Sequence, residues 1–218
     1  MEAALDAGVA IESCYLGSEA TGSPLAGRLA AAGVRLRRLD RPVGDTVTPQ
    51  SVLAVAPLVR SGIDALAGVD LTVVAPVLSD PGNVGTLLRS AAAAGVPAIS
   101  LGPGSVDAYN PKVVRASAGA CFAVRIVEGV PAVEVLEDLG RRGLRRLAAV
   151  ARGGTIAEEC DLVAPTAFVL GHETRGIGAD LPLDGAVTLP MAAGESLNAA
   201  IAGSVLLFEA ARQRRVAA

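Results

Sequence analysis

Apolar and polar positions along this chain follow two periods, one suited to short strands and one to helices. Alternation at period two, or short apolar runs, predicts strands over residues 10–16, 34–39, 52–57, 71–77, 98–101, 123–127, 146–151, 167–170 and 186–189. Helical spacing predicts helices over 24–32, 83–94, 111–118, 133–142 and 196–214, with residues 1–9 as the tail of another. From residue 71 onward strands and helices alternate, which implies βαβ crossovers and a mostly parallel sheet. Residues 1–57 hold only a small α/β unit. Residues 58–70, broken by two glycines and polar insertions, read as the linker to a domain over 71–218.

Composition narrows this picture. About half of the 218 residues are hydrophobic (51%), yet there is no Trp and there are only 3 Phe and 2 Tyr. The core must therefore come from small branched side chains, as in buried parallel strands under Ala-rich helices. No run reaches the ~18 apolar residues of a membrane span. The start, Met1-Glu-Ala-Ala-Leu-Asp6, lacks the basic and greasy stretches of a signal peptide, which predicts a cytoplasmic protein. Cys14, Cys121, Cys160 and the single His172 have no metal-ligand spacing, so no metal is expected and the thiols read as reduced.

Net charge leaves the partner open. A balance of −3 counts against nucleic acid, because cationic side chains supply most phosphate affinity. The arginines are nonetheless clustered, at 35, 37, 38 and 41, at 141, 142, 145 and 146, and at 212, 214 and 215. Lys112 is the only lysine, so the base count rests on the residue with the better phosphate fork.

Ligands of parallel α/β sheets sit at the carboxyl ends of strands, and three polar stretches begin at such ends. They are Asp80-Pro-Gly-Asn-Val-Gly-Thr-Leu-Leu-Arg89, Phe168-Val-Leu-Gly-His-Glu-Thr-Arg-Gly176 and Leu189-Pro-Met-Ala-Ala-Gly-Glu-Ser-Leu-Asn198. Each also has a plain local reading. Asn83 suits a helix N-cap, Gly171 and Gly176 suit a chain reversal, and Asn110-Pro111 suits the start of a capped helix. Ser196 and Asn198, at a helix N-terminus, suit either capping or a polar ligand. On the helix after Asn83, Arg89 lies about 140° from Val84 and so off the apolar face. No Gly-x-Gly-x-x-Gly turn follows the first strand of the larger domain, which argues against a dinucleotide enzyme.

Taken together and in this order, the three stretches resemble the signature motifs of the SpoU (TrmH-type) RNA ribose 2′-O-methyltransferases, over roughly residues 70–215. The resemblance implies a SPOUT fold, a parallel α/β domain ending in a deep trefoil knot, with S-adenosylmethionine as cofactor, a ribose 2′-OH of rRNA or tRNA as methyl acceptor, and a homodimer that shares its active sites. Residues 1–57 look like an L30e/L7Ae-type RNA-binding module, incomplete at its start. Matched position by position, Arg89 with Asn83, Glu173 and Asn198 would carry the chemistry. Gly171, Leu189, Met191, Ser196 and Leu197 would hold the cofactor, Lys112 and Arg115 would meet substrate phosphate, and His172 would be a bystander. The competing reading is a knotted RNA- or cofactor-binding protein that has lost its activity.

Overall fold

The computed structural model describes residues 1–40, 51–58, 60–171, 176–178 and 180–217, in two compact units, Met1–Val59 and Arg60–Ala218. In the first, a short helix α1 (Glu2–Asp6) precedes strand β1 (Ser13–Leu16), helix α2 (Pro24–Ala31) and strands β2 (Arg35–Arg38) and β3 (Val52–Val55). Helix α2 begins where its sequence says it should. Pro24 occupies the first turn and the Ser23 Oγ accepts the Ala26 N–H at 3.3 Å. The sheet order is β2-β1-β3, with β2 parallel and β3 antiparallel to β1. Alternation sends Cys14 and Leu16 into a small core with Ala26 and Leu29, whereas all four residues of β2 are exposed, three of them arginines.

The second unit is built on strands β4 (Leu71–Ala75), β5 (Ala98–Leu101), β6 (Arg125–Glu128), β7 (Arg145–Ala149), β8 (Thr155–Ile156), β9 (Thr166–Leu170) and β10 (Gly185–Thr188). Their order is β6-β5-β4-β9-β7-β10-β8 and every pairing is parallel. Every residue of β4, β5 and β9 is buried, as the apolar runs require of strands covered on both faces. Period two divides them between two cores. Leu71, Val73, Phe168 and Leu170 face one, and Val74, Ala167 and Val169 face the other.

The first core is closed by helices α3 (Pro81–Ala93), α4 (Pro111–Ala116), α5 (Ala120–Ala123) and, in part, α7 (Ala199–Ala217); the second is closed by α6 (Ala132–Arg141). Two glycines permit close approaches by these helices. A Cβ on Gly85 of α3 would fall 2.4 Å from the Ala116 Cβ, and one on Gly203 of α7 would fall 2.9 Å from the Leu170 Cδ1. The far end of α7 is fastened by polar contacts. Gln213 Oε1 accepts the Leu162 N–H at 2.9 Å and Arg214 pairs with Asp70 at 3.0 Å, while within the helix the Arg212 guanidinium holds the pKa of the Glu209 carboxyl down to about 2.

Several element boundaries differ from the sequence expectation. Residues 58–70 are not a free linker: a 3-10 helix, Ile63–Leu66, places Leu66 fully buried and Val69 nearly so in the second core. Helix α7 starts at Ala199 rather than at residue 196, and α3 starts at Pro81 rather than at residue 83. β8 and α5, of two and four residues, carry too little periodicity to be foreseen.

Candidate active site

Strands β9, β7 and β10 are neighbours in the sheet, and a cavity of about 590 Å³ opens over their carboxyl ends. Its walls come from the end of β7 with the residues after it (Ala149, Val150, Ala151), from Leu170 and Gly171 after β9, from the segment 187–198, and from Ala199, Ala202 and Leu206 of α7. All five residues expected to hold a cofactor, Gly171, Leu189, Met191, Ser196 and Leu197, line it, as does Asn198. No charged side chain is among the described lining residues, so what fits is a ligand with apolar faces and edges that backbone groups can read.

Two helix N-termini meet beside this cavity. Asp80 is the N-cap of α3, its Oδ1 accepting the Asn83 N–H at 2.8 Å, so Asn83 is not the cap that its position suggested. Asn198 caps α7, its Oδ1 accepting from the N–H groups of Ala200 (2.9 Å) and Ile201 (3.2 Å). The Asn198 Nδ2 then donates to the Asn83 Oδ1 at 2.9 Å, a bond between residues 115 positions apart. It joins the first and third polar stretches. The positive dipole ends of α3 and α7 favour negative charge here.

The remaining candidates stand farther out. Arg89 is exposed on α3, opposite the buried Val84, Leu87, Leu88 and Ala91, and makes no ion pair among the described residues. Lys112 and Arg115 are both exposed on α4, whose N-terminus is capped by the Asn110 Oδ1 at 2.9 Å with Pro111 in the first turn. Glu173 and His172 lie outside the described residues. Gly171 has a local reason to be glycine: a Cβ there would fall 3.0 Å from the Gly176 carbonyl carbon and 3.1 Å from the Ile177 side chain. Sequence reasoning missed Ala149–Ala151 and Ile177. The carboxyl end of β7 was the available signal, and its use required the sheet order.

Residues 70–208 match the model of the SpoU rRNA Methylase family, which takes in every candidate residue above. The chain belongs to the SpoU rRNA Methylase family. An uncharacterized tRNA/rRNA methyltransferase of Synechocystis sp. is 35% identical over 197 residues, covering 87% of this chain and 72% of that protein. The 23S rRNA (guanosine(2553)-2′-O)-methyltransferase RlmP of Bacillus subtilis is 31% identical over 170 residues, 76% of this chain and 66% of that one. The SpoU methyltransferase AviRb of Streptomyces viridochromogenes, solved in complex with AdoMet, superposes with a TM-score of 0.86 at 27% identity, over 100% of this chain and 88% of AviRb. For a SpoU chain the cavity's place is informative, because it lies within the matched span and draws on two of the three polar stretches directly. No group of three or more His, Cys, Asp or Glu side chains converges among the described residues in a way that suits a metal ion.

Proposed function

We propose that this chain is an S-adenosylmethionine-dependent methyltransferase acting on a ribose 2′-OH of rRNA or tRNA. The observation that carries the reading is the Asn198–Asn83 hydrogen bond at the mouth of a 590 Å³ cavity with no charged side chain among its described lining residues, which brings the first motif onto the third. Leu189, Met191 and Leu197 offer apolar surface for an adenine and a methionine chain, and the turn backbone offers donors and acceptors for the adenine edge. When bound, S-adenosylmethionine supplies an electrophilic methyl group on a sulfonium.

The protein's own part is at the oxygen. A ribose hydroxyl is a poor nucleophile, so charge growing on it must be stabilised while its proton leaves to water or a phosphate oxygen. A guanidinium holds its proton too tightly to act as a base, and Arg89 is suited instead to grip that oxygen and the adjacent phosphate. Glu173, Asn83 and Asn198 complete the site. Lys112 and Arg115 bind the flanking backbone, and the exposed arginines of β2 give residues 1–57 an RNA-facing strand in an L30e-type module. The knot of the SPOUT fold and a cytoplasmic location belong to the same reading; among the described residues no helix is long and apolar enough to cross a membrane.

The direct test incubates the purified chain with tritiated S-adenosylmethionine and ribosomal or transfer RNA, then maps 2′-O-methyl positions. Transfer of label that survives chelator is expected. Absence of transfer to every RNA, with no calorimetric binding of the cofactor, would overturn the reading.

A homodimer is part of the proposal. Leu197, just before α7, and Ile201, Val205 and Phe208 on it are 42–47% exposed, an apolar stripe that its own sheet does not cover. A two-fold copy would bury it and bring a second subunit against a cavity that Leu197 also lines. Replacing both Val205 and Phe208 by Glu is expected to shift the protein from dimer to monomer in sedimentation at low micromolar concentration. A wild-type monomer under those conditions would refute the dimer.

A further inference from the structure

The hydrogen bond between Asn198 and Asn83 has a polarity that the helix dictates. Asn198 Oδ1 is committed to the N–H groups of Ala200 and Ile201 at the start of α7. Backbone N–H groups donate only, so the atom that meets them must be the oxygen of the amide. Its other end, Nδ2, is then turned toward Asn83 and can only donate. Asn83 must answer with Oδ1, which it does at 2.9 Å. The Asn83 amide is thereby held in one of its two flip states, with Nδ2 on its other flank, where it acts as a donor to whatever it meets.

We infer that Asn198 is a positioning residue whose capping bond fixes the amide polarity of Asn83, so that Asn83 turns its Nδ2 donor, rather than its Oδ1, toward an oxygen of the ribose-phosphate substrate. The inference rests on the reading of the site as a ribose methyltransferase and adds to it in two ways. It turns the Asn83 Oδ1 toward Asn198 and leaves Nδ2 as the group on the opposite flank. It also bars Asn83 Nδ2 from orienting Arg89, because a guanidinium accepts no hydrogen bond. A donor beside the reacting oxygen stabilises the negative charge that grows there, and the adjoining N-termini of α3 and α7 act in the same sense.

The decisive variant is Asn198→Asp, whose carboxylate still accepts from Ala200 and Ile201, since Asp and Asn cap helices about equally well. A carboxylate cannot donate to Asn83, so the Asn83 amide turns over to give its own Nδ2 to that carboxylate, and an acceptor then faces the substrate. The melting temperature is expected to hold, KM for cofactor and RNA to stay within about twofold, and kcat to fall about 10- to 100-fold, toward the cost of losing one oxyanion donor. In an Asn83→Ala background the same Asn198→Asp change is expected to cost less than about twofold, because the group it acts through is gone. Neutron diffraction, which locates amide deuterons, should show Asn198 donating to Asn83 in the wild type and Asn83 donating to the introduced carboxylate in the variant. An unchanged kcat, an equal loss in both backgrounds, or Asn83 donating in the wild type overturns the inference. A wild-type chain that methylates no RNA overturns the proposed function instead, and the deuteron positions still decide the amide polarity.

Discussion

Arg89→Ala is expected to lower methyl transfer to RNA at least ~100-fold while leaving the fold and cofactor binding in place, the scale of loss when one oxyanion-stabilising group is removed. The side chain is exposed on α3 and turned away from Val84, Leu87, Leu88 and Ala91, each fully buried, so its truncation opens no cavity. It has no ion-pair partner among the described residues to leave stranded, and a surface change of this kind shifts stability by only ~0.5 kcal/mol or less. The described lining of the cavity proposed for the cofactor does not include it, so calorimetric affinity for S-adenosylmethionine should be unaltered. Arg89→Lys should fail almost as badly, because one ammonium cannot fork between a ribose oxygen and a phosphate oxygen. Arg141→Ala is the matched control, a helix-borne arginine 68% exposed whose only ion pair among the described residues is with Asp138 at 3.3 Å, and its activity should stay near wild type. Wild-type turnover by Arg89→Ala on a verified RNA substrate would make Arg89 an ordinary surface residue.

How far the site could be read in advance depended on whether its parts are local in the chain. The strand-to-polar-stretch junctions are local, and all five expected cofactor-site residues do line one cavity. Sheet order is not local: that β7 lies between β9 and β10, and so contributes Ala149–Ala151, follows from packing that no window of sequence contains. Capping was half legible. Asp80 before Pro81 is a cap followed by a first-turn proline, a better match than Asn83, which instead reaches across to Asn198. Ser196 suited a helix start as well as Asn198 did, and only Asn198 takes the N–H groups of Ala200 and Ile201. The stretch 58–70 misled because its glycines and polar residues suggest a linker, whereas the burial of Leu66 depends on β5 and β6 arriving from elsewhere in the chain.

Gly85→Ala is expected to destabilise the larger unit, although Ala is the better helix former by about 1 kcal/mol in a helix interior. The new Cβ would meet Ala116 Cβ at 2.4 Å, and backbone atoms Ala116 C and Ser117 N at 2.8 and 2.9 Å. Backbone cannot swing aside as a side-chain tip can, so α3 and α4 must separate, and overpacking of this kind costs ~1–3 kcal/mol or more. With backbone atoms under 3 Å the cost falls in the upper part of that range, so the clash outweighs the propensity gain by up to ~2 kcal/mol, which in a protein of this size lowers the melting temperature by several degrees. Function should follow the displaced helix. Lys112 and Arg115 ride on α4, so KM for RNA should rise, whereas the cavity is walled by α7 and the ends of β7, β9 and β10 and should keep its cofactor affinity. Gly27→Ala in α2 supplies the opposite sign, because a Cβ there has nothing within 4 Å and only the propensity gain remains, up to ~1 kcal/mol in favour of the folded state. Chemical denaturation of the two variants side by side checks both, and a Gly85→Ala protein as stable as Gly27→Ala would mean that α3 and α4 do not pack at this distance.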